Sequence, residues 1–238
     1  MKKVVIAYLY PEQMNIYGDR GNVMVLAQRL KWRGYKSEII NIKPKTNFDF
    51  KKADIVFGGG GQDHGQSLIA EDLLSRKDDI LSAADSGVAM LVICGSYQLF
   101  GKSFITIEDE SLPGIGLFSA HTIGSKVRMI GNIVVDSPWG QLVGFENHSG
   151  QTTLGDGQEP IGKVLKGFGN NETSKHEGAV THNVFGTYLH GPILSKNPNL
   201  ADEIILRALK RKHKIRKLAP LNDTLEIEAA EIAKTRPE

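Results

Sequence analysis

In the first half of the chain, apolar runs of strand length alternate with stretches of helical period, an order that few folds accommodate. Residues 3–9, 36–42, 53–57 and 88–93 read as strands, while 23–33, ended by Gly34, and 66–84 read as helices. A strand that returns through a helix to a parallel neighbour does so with one hand, so this order predicts an α/β fold: a mostly parallel central sheet flanked by helices, flavodoxin-like in layering. From residue 114 to 188 the pattern changes to short β-type segments with many glycines, such as Ile133-Val134-Val135-Asp136 and Leu142-Val143-Gly144-Phe145. That stretch predicts antiparallel strands appended to the sheet. A helix then starts at Asn197-Pro198, with Asn197 as N-cap and Leu200, Ile204, Ile205, Ala208 and Leu209 on one face. The segment 222–234 reads as either a short docking helix or a frayed tail. No repeat or linker divides the chain, which predicts one domain over 1–211 followed by a basic segment and tail over 212–238.

The only cysteine ends the strand 88–93, and Gly95-Ser96 follows it. A strand running into Cys at a tight strand-to-helix turn forms a nucleophile elbow, which lifts the sulfur clear at the sheet edge beside helix amides that favour thiolate. The competing reading is a small buried hydrophobe. Another strand, 53–57, runs into Gly58-Gly59-Gly60-Gly61. Open α/β sheets bind ligands beyond the carboxyl ends of their strands, so these two ends should be neighbours. Glycine amides there, with that of Gly95, would suit an oxyanion, although a flexible turn explains four glycines equally well. Neither the phosphate-binding Gly-rich loop with Lys-Ser/Thr nor the spaced dinucleotide fingerprint is present.

A thiol nucleophile needs an imidazole to carry its proton, and the chain has 7 histidines. His213 and His176 belong to polar surroundings and read as surface residues, and His64 and His121 fit either role. His148 suits a polar binding loop. His182 and His190 flank the strand-like 184–189, and His190, just before Gly191-Pro192, is where a parallel sheet delivers a catalytic side chain. A formal net charge of +2 and no basic stripe interleaved with aromatics argue against nucleic acid. The basic cluster 210–217 reads as the solvated, dipole-favoured end of a helix. One cysteine forms no internal disulfide, and the absence of a signal peptide or membrane-length apolar run points to the reducing cytoplasm.

Together these residues resemble a known family. Val92-Ile93-Cys94-Gly95-Ser96-Tyr97-Gln98 resembles the nucleophile turn of class I (triad-type) glutamine amidotransferases. Gly186-Thr187-Tyr188-Leu189-His190-Gly191-Pro192, with Asn197-Pro198-Asn199-Leu200-Ala201-Asp202, resembles the histidine segment of their cobyric acid synthase-like branch. Within that branch, residues 10–22 and Gly144-Phe145-Glu146-Asn147-His148-Ser149-Gly150 are similar to the glutaminase subunits of lipid II isoglutaminyl synthases. The resemblance spans residues 1–211 and implies the following chemistry. Cys94 attacks the side-chain amide of L-glutamine, His190 protonates the departing ammonia, and water resolves a thioester. The backbone at Gly60 and Gly95 forms the oxyanion hole, and Gln98 and Arg128 hold the substrate, Arg128 by a bidentate grip on the α-carboxylate. The resemblance implies no cofactor or metal in this chain. ATP and Mg belong to a Mur ligase-like synthetase subunit, partner in a heterodimer that amidates the α-carboxyl of D-glutamate in the lipid II stem peptide at the inner face of the membrane.

One position departs from the class pattern. Class I enzymes carry His-x-Glu, whereas the residue two after His190 is Pro192. This predicts that the partner supplies the third triad carboxylate, with Asp19, on the loop after the first strand, as the in-chain alternative. Three rival functions stand beside this reading. They are a glutaminase serving another acceptor, such as a corrin carboxylate in cobyric acid synthesis; a Cys hydrolase or peptidase with the same elbow; and a binding subunit without chemistry.

Overall fold

The computed structural model describes residues 2–236. Met1, Pro237 and Glu238, the outermost residues of the expected domain and tail, lie outside the described residues. Strand β1 (Lys3–Leu9) leads through a long connection to α1 (Arg20–Trp32) and β2 (Lys36–Ile42). β3 (Ile55–Gly58), α2 (Asp63–Ser75), α3 (Lys77–Asp85), β4 (Ala89–Ile93) and α4 (Gly95–Phe100) follow. Next come β5 (Ser103–Ile105), β6 (Ser111–Pro113), the long pair β7 (Ala120–Ser137) and β8 (Gly140–Leu154), then β9 (Gly162–Lys166) and β10 (His176–Glu177). The chain closes with β11 (Ala179–Thr181), β12 (Val184–Thr187), α5 (Ile193–Lys196), α6 (Pro198–His213) and α7 (Thr224–Thr235).

The first sheet has the order β11-β12-β4-β3-β1-β2 and is parallel except for β11. All five residues of β4 and all four of β3 are buried, as strands covered on both faces must be. The second sheet, β10-β9-β7-β5-β6 with β8 on β7, is mostly antiparallel, which agrees with the glycine-rich pattern after residue 114. Here β5 is the exception, running parallel to β7.

Three local expectations change. The helix read over 66–84 is two helices. Arg76 ends α2 and its guanidinium bonds the Asp72 carboxylate and the carbonyls of Thr46 and Lys43, fixing a break that the apolar period does not show. Asn197 precedes α6 but does not cap it. Its side chain accepts from Val143 N–H at 2.8 Å and donates to the carbonyls of Val143 and Ile193, stitching the helix start to β8. Of its two readings, the segment 222–234 is the docking helix and not the frayed tail, because α7 docks through Asp223, which forms a two-pronged ion pair with buried Arg29 at 2.6 and 3.0 Å. Nor is the basic cluster merely solvated. Arg211 reaches the carbonyls of Ala53, Ser86 and Lys51, and Lys212 bonds Asp54 at 2.6 Å. The face Leu200, Ile204, Ile205, Ala208 and Leu209 is buried as expected.

Candidate active site

The carboxyl ends of four adjacent strands, β12, β4, β3 and β1, converge on one place. They carry His190, Cys94, the four glycines and the connection bearing Asp19, respectively.

Cys94 has φ 49° and ψ −107°, a left-handed conformation that non-glycine residues seldom adopt. It is the sharp elbow expected from its place between strand and helix. Pairing holds it there: Cys94 N–H donates to Thr187 O at 2.8 Å, extending the β4 and β12 ladder, and Cys94 O accepts the first turn of α4 from Gln98 N–H. Stored strain at a residue opening onto a pocket is a mark of function, and Cys94 lines a cavity of about 400 Å³.

The four glycines are a packing requirement. The connection from β1 to α1 lies directly over them, and Ile16 N–H donates to Gly60 O at 3.0 Å. A Cβ on Gly59 would collide with the Met14 carbonyl, and one on Gly61 with the Met14 sulfur. A Cβ on Gly60 would stand 2.8 Å from Ile16 Cγ2 and 2.9 Å from His190 Cε1. No side chain fits beneath that loop.

The loop delivers Asp19, which is fully buried. One oxygen, Oδ1, lies 3.0 Å from His190 Nδ1, and the other, Oδ2, accepts Gly60 N–H at 2.7 Å. A carboxylate facing Nδ1 assigns that nitrogen its proton, so Nε2 is the nitrogen available to Cys94. Nε2 is buried and makes no hydrogen bond. Burial pushes the imidazole pKa down, but the Asp19 hydrogen bond and the interactions with Cys94 outweigh it and raise it to about 10. Tyr17, itself at φ 55°, covers the imidazole edge-on with ring centroids 4.9 Å apart.

Two expectations are corrected by this geometry. The carboxylate seat beside His190 is filled from within the chain by Asp19, so it is not left open for a partner. Pro192 packs closely on α1, where a Cβ on Gly21 would collide with its ring. Gly60 is the second correction. Its N–H donates to Asp19 Oδ2 and is not free for an oxyanion, whereas the next glycine, Gly61, lines the pocket.

Gln98 and Arg128 both line the same cavity. Gln98 is fixed at both ends, accepting from Gln66 at 2.8 Å and donating to Tyr188 OH at 3.1 Å. Arg128 stands where the β7–β8 register shifts between Gly124 and Met129, and such irregularities re-aim side chains. Its Nε donates to Asn147 at 2.6 Å, and a terminal nitrogen meets Tyr17 OH at 3.3 Å. His148 is buried on β8, not in a loop. Its ring stacks on Tyr188 at 3.6 Å, and burial, opposed by Glu146, pushes its pKa down. His64 lines the cavity mouth and is exposed; His121 pairs with Ser103, and His176 is exposed. Tyr17, Gln66, Asn147 and Asp63 also line the site. None of these four was singled out in the sequence, because each is a common polar residue; Asp63 and Gln66 come from α2, Tyr17 from the β1–α1 connection and Asn147 from β8. Among the described residues, no group of three or more His, Cys, Asp or Glu is placed to hold a metal.

Comparison with known proteins agrees with this geometry. Residues 5–198 match the CobB/CobQ-like glutamine amidotransferase domain. The chain is 38% identical over 213 residues to the lipid II isoglutaminyl synthase (glutamine-hydrolyzing) subunit GatD of Staphylococcus aureus, covering 89% of this chain and 87% of that one. It is 40% identical over 211 residues to the subunit of the same name from Streptococcus pneumoniae, covering 87% and 81%. A probable cobyric acid synthase of Methanothermobacter thermautotrophicus is more distant, at 28% identity over 74% of this chain and 39% of that one. Among solved structures, PurLQS from Thermotoga maritima shares the fold, with a TM-score of 0.58 at 16% identity over 88% of this chain and 98% of that chain. A family match across most of the chain, together with two relatives at this identity, places the protein in the CobB/CobQ-like glutamine amidotransferase family.

Proposed function

We propose that the chain is the glutaminase subunit of a lipid II isoglutaminyl synthase. The observation that carries the reading is the buried His190 held by Asp19 at Nδ1, with Nε2 left for a strained Cys94 that opens on a polar pocket. In this reading Cys94 gives its proton to His190 Nε2 and its sulfur bonds the δ-carbon of glutamine. The carbonyl electrons move to oxygen, where the Gly61 and Gly95 amides donate to it. Collapse breaks the C–N bond as His190 returns the proton to nitrogen, releasing ammonia and leaving a γ-glutamyl thioester. Water, deprotonated by His190, then cleaves the thioester to glutamate and regenerates the thiol. Arg128 pairs with the α-carboxylate, and Gln98 lies along the substrate.

Ammonia set free in water is protonated and stops being a nucleophile, so the subunit delivers it to an ATP- and Mg-dependent, Mur ligase-like partner. That partner amidates D-glutamate of the stem peptide to D-isoglutamine at the cytoplasmic face of the membrane. The names of the two GatD relatives support this acceptor. Among the described residues no helix is long and apolar enough to cross a membrane. The test is glutamate release from glutamine, by the chain alone and with the ATP-dependent subunit, with Cys94→Ala as control. Cys94-dependent release together with nitrogen transfer to lipid II is expected. Transfer to a corrin carboxylate in place of lipid II would overturn the acceptor, and release that survives Cys94→Ala would overturn the chemistry.

A further inference from the structure

We propose that Asp63 is the specificity residue that reads the α-ammonium group of the substrate, opposite Arg128. The inference rests on the glutaminase reading and extends it. Glutamine is a zwitterion beyond its side chain, and a site that holds only the carboxylate would accept any ω-amide of a carboxylic acid. Asp63 opens α2 two residues after the glycine run and lines the same cavity as Cys94 and Arg128. Among the described residues its carboxylate meets only its own backbone amide and has no side-chain partner, whereas Arg128 is already oriented by Asn147 and Tyr17.

The lining carries charge of both signs, Asp63 beside Arg128 and Lys126. Burial and the nearby carboxylates of Glu108 and Glu110 push the Asp63 pKa up, while Arg128 and the backbone pull it down. Glu108 and Glu110 are not among the residues lining the cavity, and Glu110 bonds Ser67 at 2.8 Å, so Asp63 is the one carboxylate among the lining residues. An ammonium ion brought beside it satisfies that carboxylate. Arg128 lines the same cavity and is near enough to act on the Asp63 carboxylate, so the site presents both charges that an α-amino acid needs, beside the nearly buried Cys94. A positioning role limited to the start of α2 would make no such distinction among ligands.

Binding is measured by calorimetry in the full-length Cys94→Ala chain, which cannot turn substrate over, with glutamine and with glutaramate, the same molecule lacking the amino group. Glutamine is expected to bind tighter. Adding Asp63→Asn should weaken glutamine by about tenfold to a hundredfold, the usual scale for a hydrogen bond to a charged group, and leave glutaramate nearly unchanged. A preference for glutamine that persists in Asp63→Asn overturns the assignment, as does equal binding of both ligands before the substitution, and both results leave the glutaminase reading intact. Failure of glutamine itself to bind overturns the assignment and the reading together. A loss that is equal for both ligands marks Asp63 as merely structural and also overturns the assignment.

Discussion

Replacing Asp19 by asparagine tests whether this chain carries its own triad. The carboxylate has two buried partners that differ in need: His190 Nδ1 at 3.0 Å and Gly60 N–H at 2.7 Å. Gly60 can only donate, so the asparagine oxygen turns to it and the amide NH2 faces Nδ1. That nitrogen must then accept, the proton moves to Nε2, and the imidazole can no longer take the Cys94 proton. The opposite flip gives His190 its acceptor but sets NH2 against Gly60 N–H, leaving buried donors unpaired. Either arrangement forfeits one charge-assisted bond, which costs roughly 1–3 kcal/mol of stability. Loss of proton transfer costs about 10²- to 10⁴-fold in turnover, or roughly 2.7–5.4 kcal/mol of barrier. The assay is glutamate release at saturating glutamine across pH, beside thermal unfolding and glutamine binding in the Cys94→Ala background. Asp19→Asn should fold, bind glutamine and turn over slowly, and the His190 titration should fall from its position near 10. Unchanged turnover in Asp19→Asn would refute this, and activity that instead disappears when a carboxylate of the synthetase subunit is removed would return the third residue to the partner.

Two further expectations concern stability. His190, raised to about 10, contributes stability that is complete below its unfolded value near 6.5 and is lost as pH rises toward 10. Glu177, buried and raised to about 8 by desolvation against the hydrogen bonds of Tyr188 and Thr187, binds more protons folded than unfolded between about 4.5 and 8, so it too lowers stability as pH rises there. Urea unfolding at a series of pH values should show this decline, with Glu177→Gln removing the segment below pH 8; an unchanged slope would count against it. Asp223→Ala leaves the guanidinium of buried Arg29 with Asp202 alone. Breaking a buried pair costs about 3–5 kcal/mol, and amide exchange across α7 should rise first, whereas uniform protection would mean that α7 is held by its apolar face.

The parallel sheet was legible because its strands write their burial into the sequence. β3 and β4 are apolar and buried along their whole length, and the nucleophile elbow is visible at Cys94 for the same reason; β2, an edge strand that is mostly exposed, is marked only by its second half. Features that depend on distant partners were not. Asp19 is suggested by the loop after the first strand only as an alternative, since what decides its role is a residue 171 positions away, and Gly60 reads as one of four equal glycines until the loop above it is known. Asn197 has the composition of a cap, but tertiary bonds to Val143 outcompete capping. The break at Arg76 is set by carbonyls on another connection, which no periodicity reports.

The spread of the site along the chain also bears on biosynthesis. The strand bearing the thiol leaves the ribosome well before the imidazole, and the carboxylate that orients that imidazole waits folded at the other end of the sequence. A nascent or truncated chain therefore holds a nucleophile with no proton carrier, and the catalytic centre is completed only when β12 slots in beside β4 and His190 arrives over Asp19. In the proposed reaction, the pairing of β12 with β4 is therefore also the step that completes the site.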